Sequence, residues 1–537
     1  MVNDPKDPRF TELLDGAMRG QLTRRTVFKR ALAIGLSAPA IAALLAACGD
    51  DDDAEDAGDA VGTTASGAGT EVADEATEVE GDATEMVDGD ATEMVDGDAT
   101  EEMDPDATEE MDTTPSAGGG DYEYGIDNPP PVGNVDTASA FSGTSLVFWG
   151  DAVGPGAVAD ETAVARFVEE TGIEVEVIPR PDSATESYAQ YQRVFQGEDS
   201  SMDVGMIDVI WPGAFAQHLA DLTDTFSDTI DQYFETVVEN NTIDGKLVGV
   251  PWFGDNGILF YRTDLLETYG FDGPPTTWDE LEEMATTIME GEREANPEFQ
   301  GFVWQGNAYE GLTCNALEWL ASAGGGTIVE DGEVTLDNDA AKEFLTRTQG
   351  WIGTISPDGV TGYQEEDARN VFQGGNAAFM RNWPYAYSAG KAADSPIADM
   401  FDVAPLPAGE GQEPVGTVGG WQLAVNSYSE NQEAAMELVK YLASAEMQKW
   451  RAIHYSFVPL VISVAEDPQV LEAMPFLVTT ADVIRVTRPS RESGELYNEL
   501  STVFFQGVNG ILTGDDPEDI VPEMAGEIED LLAEAGA

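Results

Sequence analysis

Aromatic side chains stand next to short polar ones at several points of the sequence where a loop is expected. These places are Trp211 after Asp208, Trp252-Phe253 before Asp255, Trp383 before Tyr385, and Gly420 before Trp421. A pyranose has apolar C–H faces that stack on aromatic rings, and hydroxyl groups that carboxylates and guanidinium groups bind through charge-assisted hydrogen bonds. Ligand sites combine apolar walls with a few convergent polar groups. The pattern therefore indicates a carbohydrate site, although each tryptophan taken alone fits a hydrophobic core at least as well.

Residues that would support metal or nucleophilic chemistry are scarce. The chain has two histidines, His218 and His454, and two cysteines, Cys48 and Cys314. Two imidazoles do not make a zinc cluster, and the pattern does not suggest a Ser-His catalytic arrangement. We therefore expect no metal, no cofactor and no enzymatic activity. One alternative stays open, a surface glycosidase that uses a pair of carboxylates beside the tryptophans.

The first 48 residues read as an export signal. Arg24-Arg25 with Phe28 and Lys29 resembles the twin-arginine type, and it is followed by an uncharged run over residues 31–47. That run is too short for a membrane span and contains glycine and proline. Leu-Ala-Ala-Cys ending at Cys48 resembles a bacterial lipobox. We expect residues 1–48 to be a lipoprotein signal and the protein to be lipid-anchored to the outer face of the cytoplasmic membrane, at the cell surface or in the periplasm.

Residues 49–143 are predicted to be a disordered acidic tether. They carry an octapeptide repeat, Gly-Asp-Ala-Thr-Glu-Met-Val-Asp, at Gly81 and Gly89, and few large apolar residues. The repeat does not match a calcium loop, because glycine and glutamate are missing where an EF-hand needs them. The whole chain has a formal net charge of −79, which argues against nucleic-acid partners. A purely structural acidic surface protein is a further alternative.

The remaining sequence alternates between strand and helix patterns. Strands at residues 144–150, 174–179 and 204–211 are separated by helices at 157–171 and 186–196, a βαβαβ series that favours a parallel sheet. Trp149, Arg180 and Asp208 would lie at the carboxyl ends of these strands, where such sheets bind ligands. Later segments predict strands at 246–252, 257–262 and 419–425, helices at 265–269 and 278–291, and one long helix at 429–452 capped by Ser429 and Gln432. This order fits two α/β lobes.

From about Thr144 to its end, the chain resembles the extracellular solute-binding proteins of carbohydrate ABC transporters, family 1, and most closely the trehalose/maltose-binding branch. The matching strings are Met206-Ile-Asp-Val-Ile-Trp211, Pro251-Trp-Phe-Gly-Asp255, Phe260-Tyr-Arg-Thr-Asp-Leu-Leu266, Gly301-Phe-Val-Trp-Gln-Gly306, Tyr309-Glu-Gly-Leu312 with Cys314, Gly375-Asn-Ala-Ala-Phe-Met-Arg-Asn-Trp-Pro-Tyr385, Val403-Ala-Pro-Leu-Pro407, Gly419-Gly-Trp421 and Arg488-Pro489. The resemblance implies an α/β, two-lobed periplasmic-binding-protein-like fold of type II with a hinge. Lobe 1 would comprise residues 144–252 and 386–428, and lobe 2 residues 253–385 and 429–537.

The resemblance also implies roles for individual residues. Asp208 and Asp255 would accept hydrogen bonds from sugar hydroxyls, Arg180 and Arg488 would donate them, Trp383, Tyr385 and Trp421 would stack on the sugar, the Gly420 backbone would lie against it, and Phe253 stands where a tyrosine would offer a hydroxyl. The loop after the first strand lacks the glutamate expected there, and Asp151 or Asp160 could replace it. The implied receptor is a monomer that closes on a disaccharide or short oligosaccharide of the trehalose/maltose class and delivers it to ABC permease subunits.

Overall fold

The computed structural model describes residues 124–535, so the predicted signal and most of the predicted tether lie outside the described residues. The β-strands are β1 (Ser145–Gly150), β2 (Glu174–Pro179), β3 (Val204–Asp208), β4 (Thr242–Ile243), β5 (Lys246–Leu247), β6 (Val250–Asn256), β7 (Ile258–Arg262), β8 (Gln300–Val303), β9 (Val329–Glu330), β10 (Glu333–Val334), β11 (Ala377–Asn382), β12 (Phe401–Ala404), β13 (Val415–Val425) and β14 (Ile484–Val486).

Helices connect and cover these strands. The α-helices of the described residues are α1 (Val135–Ala138), α2 (Gly156–Thr171), α3 (Ala184–Gln196), α4 (Pro212–Phe215), α5 (Thr223–Phe226), α6 (Glu235–Asn240), α7 (Thr263–Tyr269), α8 (Trp278–Glu292), α9 (Glu310–Ser322), α10 (Asp339–Trp351), α11 (Glu365–Gln373), α12 (Tyr385–Lys391), α13 (Gln432–Leu442), α14 (Ala445–Tyr455), α15 (Ile462–Ala465), α16 (Pro468–Ala473), α17 (Phe476–Thr479), α18 (Ser490–Ser493), α19 (Tyr497–Thr513) and α20 (Pro517–Ala535). Within residues 124–535, no helix combines the length and apolar character that crossing a bilayer requires.

The first sheet has the strand order β14-β13-β3-β1-β2, and β6 also pairs with β13. The pairs β1–β2 and β1–β3 are parallel, as the βαβαβ pattern predicts. By contrast, β13 runs antiparallel to both β3 and β6. The carboxyl ends of β1, β2 and β3 meet at one edge, which is where ligands bind on open parallel sheets.

The second sheet has the order β12-β7-β11-β8. Its strands are buried on both faces. Alternate residues of a strand point to opposite sides, and consecutive residues of β7, β8 and β11 are buried. On β7, Ile258 and Phe260 belong to a hydrophobic core shared with the first sheet, whereas Leu259 belongs to a separate core around Trp278 and Trp319. The chain crosses from the first sheet to the second at Gly257, between β6 and β7, and returns along β13.

Local capping signals account for the start of α8, which was predicted, and for the start of α14, which was not. The helix predicted at 278–291 is α8, and Thr277 and Glu280 form its capping box. The single long helix predicted over residues 429–452 is wrong, because the chain forms two helices there, α13 and α14. The Ser444 side chain accepts a hydrogen bond from the backbone N–H of Met447 and starts α14. Ser429 is not the N-cap of α13, which is Asn431; the Ser429 hydroxyl accepts the Asn431 backbone N–H at 3.0 Å and donates to Asp203.

Residues 124–143, which were expected to belong to the disordered tether, pack against the folded part. The Trp450 indole donates to the carbonyl oxygen of Gly125 at 2.9 Å, and the Tyr441 hydroxyl donates to that of Pro130 at 2.9 Å. Ala138 is completely buried. The prediction failed here because the partners lie some 300 residues away, where composition gives no information about them.

The lobe limits given by the sequence remain a prediction, but two segments pack differently from what those limits imply. Strand β12, placed in lobe 1, pairs with β7 in the second sheet. Helices α13 and α14, placed in lobe 2, contact the first sheet: the Trp252 indole donates to the Leu442 carbonyl, and the Gln448 amide donates to the Pro251 carbonyl.

Candidate functional site

All nine residues that the sequence nominated as a ligand site line one cavity between the two sheets. They are Arg180, Asp208, Phe253, Asp255, Trp383, Tyr385, Gly420, Trp421 and Arg488. About 600 Å³ of space lies among its lining residues, including open solvent at the mouth. Strand ends of the first sheet supply one wall, and the segment following β11 supplies another.

Arg180 follows β2 and is held rigidly. Its Nη1 donates to the backbone oxygens of Pro181 and Asp182 at 2.8 and 3.0 Å, and its Nη2 lies 3.3 Å from Asp151 Oδ1. The guanidinium carbon lies 4.1 Å from the centroid of the Trp421 ring, in a cation–π contact. Arg180 therefore fixes both the loop after β1 and one aromatic wall of the cavity.

In the loop after β1, one of the two aspartates that could replace the expected glutamate lies at the cavity. Asp151 lines the cavity, whereas Asp160 lies behind it and pairs with Arg451 at 2.5 Å. Asp160 Oδ2 also accepts the backbone N–H of Asp151 at 2.8 Å. Burial raises the pKa of Asp160 to about 6 despite the neighbouring Arg451. Of the two candidates, only Asp151 could meet a ligand, and Asp160 holds it in place.

Arg488 connects the two halves of the site. It pairs with Asp208, at the end of β3, at 2.8 Å, and with Glu310, at the start of α9, at 2.8 Å. Glu310 also accepts hydrogen bonds from the hydroxyls of Tyr497 and Ser501 at 2.5 and 2.7 Å. Burial raises the pKa of Glu310. Asp208 and Arg488 were expected to face the sugar independently, but they bind each other, so a ligand would share them with this ion-pair network.

Asp255 is a cavity carboxylate that is not paired with an arginine. The residue as a whole is partly exposed, but its Oδ1 is buried and has no hydrogen-bond partner among the described residues. Burial raises the pKa of Asp255 well above its ordinary value, and the nearby carboxylates Asp151 and Asp208 raise it further. An unsatisfied buried acceptor is costly, so this oxygen is suited to receive a donor from a ligand.

Trp383 and Tyr385 are held at the end of β11 by acidic residues of α11. The Trp383 indole N–H lies 3.3 Å from Glu365 Oε1, and the Tyr385 hydroxyl donates to Glu366 at 2.8 Å. The Tyr385 ring packs on Gly154, where an added Cβ would lie 2.4 Å from the ring. The aromatic wall of the second half therefore reaches the loop that follows β1.

Gly420 has a role that its sequence context did not reveal. Its φ is +118°, and a Cβ there would lie 2.5 Å from the carbonyl oxygen of Phe253. The residue lines the cavity, but its conformation and the missing side chain are required by the close pairing of β13 with β6. The neighbouring Trp421 pairs in register with Phe253 on β6, which places both rings at the cavity.

Several lining residues were missed by the sequence reasoning. They include Asp182, Glu310, Glu365, Phe457 and Cys314. Glu310 and Cys314 lie in or next to a string already noted, Tyr309-Glu-Gly-Leu312, and could have been nominated from it. Asp182 could have been nominated as a lining residue because it lies two residues after Arg180. No motif or neighbouring residue marks Glu365 as part of the site. Across the part of the chain that the structure describes, no three His, Cys, Asp or Glu side chains are grouped to hold a metal ion.

Comparison with known proteins gives consistent matches. The family model described as bacterial extracellular solute-binding protein matches residues 150–449. A probable ABC transporter-binding protein of Deinococcus radiodurans is 47% identical over 380 residues, covering 70% of this chain and 90% of that protein. A galactooligosaccharide-binding protein of Bacillus subtilis is 24% identical, covering 74% and 91%. Among solved structures, maltose-bound MalE3 of T. maritima has a TM-score of 0.68 and 39% identity, covering 72% of this chain and all of that one.

Proposed function

Because this chain belongs to the bacterial extracellular solute-binding protein family, we propose that it is the sugar-binding receptor of an ABC importer. The observation that carries the proposal is the cavity itself, in which Trp383, Trp421 and Tyr385 line the same space as carboxylate and guanidinium groups. Aromatic faces bind the apolar side of a pyranose, and the charged groups bind its hydroxyls. The relatives whose names mention maltose or galactooligosaccharide point to the same ligand class.

We assign the ligand to the disaccharides and short oligosaccharides of the trehalose/maltose class. Two indole rings and a tyrosine ring provide more stacking surface than one pyranose needs. Arg180 and Arg488 are each bound to a carboxylate, so neither guanidinium is reserved for an anionic ligand. The net charge of the protein also disfavours anionic sugars.

Binding is proposed to act through closure of two lobes. A ligand shifts a two-state equilibrium only by contacting the closed state more favourably. The lining residues come from both sheets, and contacts already join the two halves: the Glu310 backbone N–H donates to the Thr185 hydroxyl at 3.0 Å, and Arg488 contacts Asp208 and Glu310. A sugar between Trp421 and Trp383 would add to these contacts and favour the form that the permease recognises.

The glycosidase alternative has less support. Glycoside hydrolysis requires one carboxyl group that donates a proton and a second that acts as nucleophile or base. In this cavity Asp208 and Glu310 share Arg488, and Asp151 is bound to Arg180. These three carboxylates are suited to accept hydrogen bonds from a ligand. Burial raises the pKa of Asp255, as in a general acid, so sugar turnover is the measurement that separates the two functions. We propose that the cavity binds its sugar without changing it.

Family membership implies export. We propose that residues 1–48 are the twin-arginine-type signal, that Cys48 carries the lipid anchor, and that the acidic segment after it spaces a monomeric receptor from the membrane. Replacing Cys48 by serine (Cys48→Ser) should move the protein from the membrane fraction of the producing cell to the soluble fraction. Retention of the variant in the membrane fraction would reject the anchor.

The binding proposal is tested by calorimetry of the purified full chain against trehalose, maltose, sucrose and longer maltodextrins. We expect saturable binding of at least one of them, and recovery of that sugar unchanged after prolonged incubation. Absence of binding across the panel, with no sugar-induced thermal shift, would reject the receptor. Release of monosaccharide would favour the glycosidase.

The site is tested by Trp383→Ala and Asp255→Ala. Each variant should weaken binding by about 30-fold or more, since loss of a central aromatic or buried polar contact costs about 2 kcal/mol. The control is Met400→Ala, which removes an exposed apolar side chain that does not line the cavity. Unchanged affinity in both site variants would remove the assignment.

A further inference from the structure

A buried ion pair lies directly behind the aromatic wall and outside the cavity lining. Arg381, on β11, donates from Nε and Nη2 to the two carboxylate oxygens of Glu318, on α9, at 2.9 and 2.6 Å. The exposed fractions of the two side chains are 1% and 0%. Nη1 of Arg381 also donates to Gln305 at 3.1 Å. The guanidinium plane is therefore fixed by a bidentate contact and a third hydrogen bond.

The fixed guanidinium stacks on Trp383. Its central carbon lies 3.9 Å from the centroid of the indole ring. Trp383 lines the cavity whereas Arg381 does not. Arg381 therefore supports the ring from outside the cavity.

The same pair also contacts β13 and Gly257, the residue that joins β6 of the first sheet to β7 of the second. Glu318 Oε1 accepts the backbone N–H of Thr417, on β13, at 3.1 Å. At Gly257, between β6 and β7, an added Cβ would lie 1.9 Å from Glu318 Oε1 and 2.6 Å from Arg381 Nη2. The absence of a side chain at Gly257 thus lets the pair lie against the crossing point. The Arg381–Glu318 pair therefore contacts Trp383 in the cavity wall, β13, and the link between β6 and β7.

Stability alone does not explain this arrangement. Desolvation of two charges offsets most of their attraction, and buried ion pairs can often be replaced by apolar residues without loss of stability. Burial raises the pKa of Glu318 even with Arg381 bound to it, which is consistent with that cost. An ion pair placed here instead provides a directional contact, which apolar side chains would not supply.

We propose that Arg381 is a positioning residue for the ligand site: held by Glu318, it fixes the plane of the Trp383 indole and connects that ring to β13 and to the link between β6 and β7. The proposal rests on the function proposed above, in which Trp383 stacks on a sugar. A ligand that presses on the indole would then act on β13 and on that link through Arg381 and Glu318.

The test is Arg381→Lys in the full chain, with Glu318→Gln as a second, nearly isosteric variant. Lysine keeps the charge but loses the planar, bidentate contact. The control is Arg262→Lys. Arg262, on β7 of the same sheet as Arg381, forms a bidentate pair with Asp264 at 2.8 and 2.7 Å, and neither residue lines the cavity. Sugar affinity is measured by calorimetry, stability by urea unfolding, and the accessibility of Trp383 by acrylamide quenching as the difference from the matching Trp383→Phe background.

We expect Arg381→Lys and Glu318→Gln to weaken sugar binding about tenfold and to increase quenching of Trp383 in the absence of sugar. Arg262→Lys should change sugar affinity and Trp383 quenching by less than about twofold, at a change in unfolding free energy comparable to that of Arg381→Lys. If only one of the two readouts changes in the folded Arg381 variant, or if the control behaves like it, the proposal is wrong. If the unsubstituted protein binds none of the sugars, the proposed function fails, and the quenching difference alone decides whether Arg381 positions the indole.

Discussion

At the scale of single residues, the carboxylates of the cavity differ in whether they have a partner. Asp151, Asp208 and Glu310 are each bound to an arginine, whereas Asp255 presents a buried oxygen without a partner among residues 124–535. Such a group destabilises the ligand-free protein and gains a partner when a hydroxyl donates to it. Functional sites often lose stability in this way.

Asp255→Asn should therefore change the pH dependence of stability in a defined direction. The folded-state pKa of Asp255 lies above the ordinary value of 3.8, so the folded protein holds a proton that the unfolded chain has released. The unfolding free energy then falls as pH rises from near that value through the folded-state pKa. Asparagine removes this contribution, so the variant should gain stability relative to the unsubstituted protein as pH increases.

Urea unfolding of both proteins without sugar, at about pH 4.5 and about pH 7.5, measures this difference. Taking the difference between the two proteins removes the contributions of Asp182, Glu310 and Glu318, whose pKa values are also raised by burial. Parallel stability profiles for the two proteins would show that Asp255 does not titrate in this window. The variant should also bind sugar more weakly, because an amide accepts a hydroxyl proton less strongly than a carboxylate.

At the scale of elements, the pair formed by β6 and β13 supports much of the site. Phe253 and Asp255 on β6 and Gly420 and Trp421 on β13 line the cavity. The close approach of the two strands requires glycine at position 420, with its positive φ and its short distance to the Phe253 carbonyl. A change in this one residue would therefore separate strands that carry ligand contacts.

Gly420→Ala should lower the unfolding free energy by about 3 kcal/mol, since alanine adds both backbone strain and a clash. Gly411→Ala is a matched control, because Gly411 also has a positive φ, +78°, but no heavy atom lies within 4 Å of an added Cβ. That control should cost about 1 kcal/mol. Equal losses in the two variants, measured by urea unfolding, would contradict the role of the close contact.

Local signals in the sequence predicted most of the elements near the site, and distant contacts explain part of what was missed. The alternation around β1 to β3 and the Thr277 cap depend on neighbouring residues, so they could be recognised. The start of α14 at Ser444 is a local signal that the prediction overlooked, whereas the contact of Ser429 with Asp203 spans 226 residues. The pairing of Arg488 with Glu310 spans 178 residues. No pattern in a single sequence encodes such partners.

At the scale of the whole molecule, cations are few and several are in the interior. The chain has 24 Lys and Arg against 103 Asp and Glu. Arg180, Arg381, Arg451 and Arg488 are buried and each is paired with an acid. The surface therefore carries a large excess of negative charge, which repels itself and disfavours the compact state.

Added salt should therefore stabilise the protein. Raising sodium chloride from about 0.01 M to about 1 M shortens the screening length from about 30 Å to about 3 Å, which weakens the repulsion between surface carboxylates. We expect the midpoint of thermal unfolding to rise over this range. Potassium chloride should act equally, since screening depends on ionic strength. A flat or falling midpoint would show that surface repulsion does not limit stability.

The docking of residues 124–143 has a mechanical consequence. Gly125 and Pro130 are bonded to Trp450 and Tyr441, on the helices that cover the first sheet. Any pull transmitted from the preceding segment is therefore applied to the half of the molecule that carries β1, β2 and β3. In the receptor proposed above, anchored at Cys48, that half would be the stationary arm and the half built on the second sheet the moving arm, so closure on a sugar would leave the attachment unstrained.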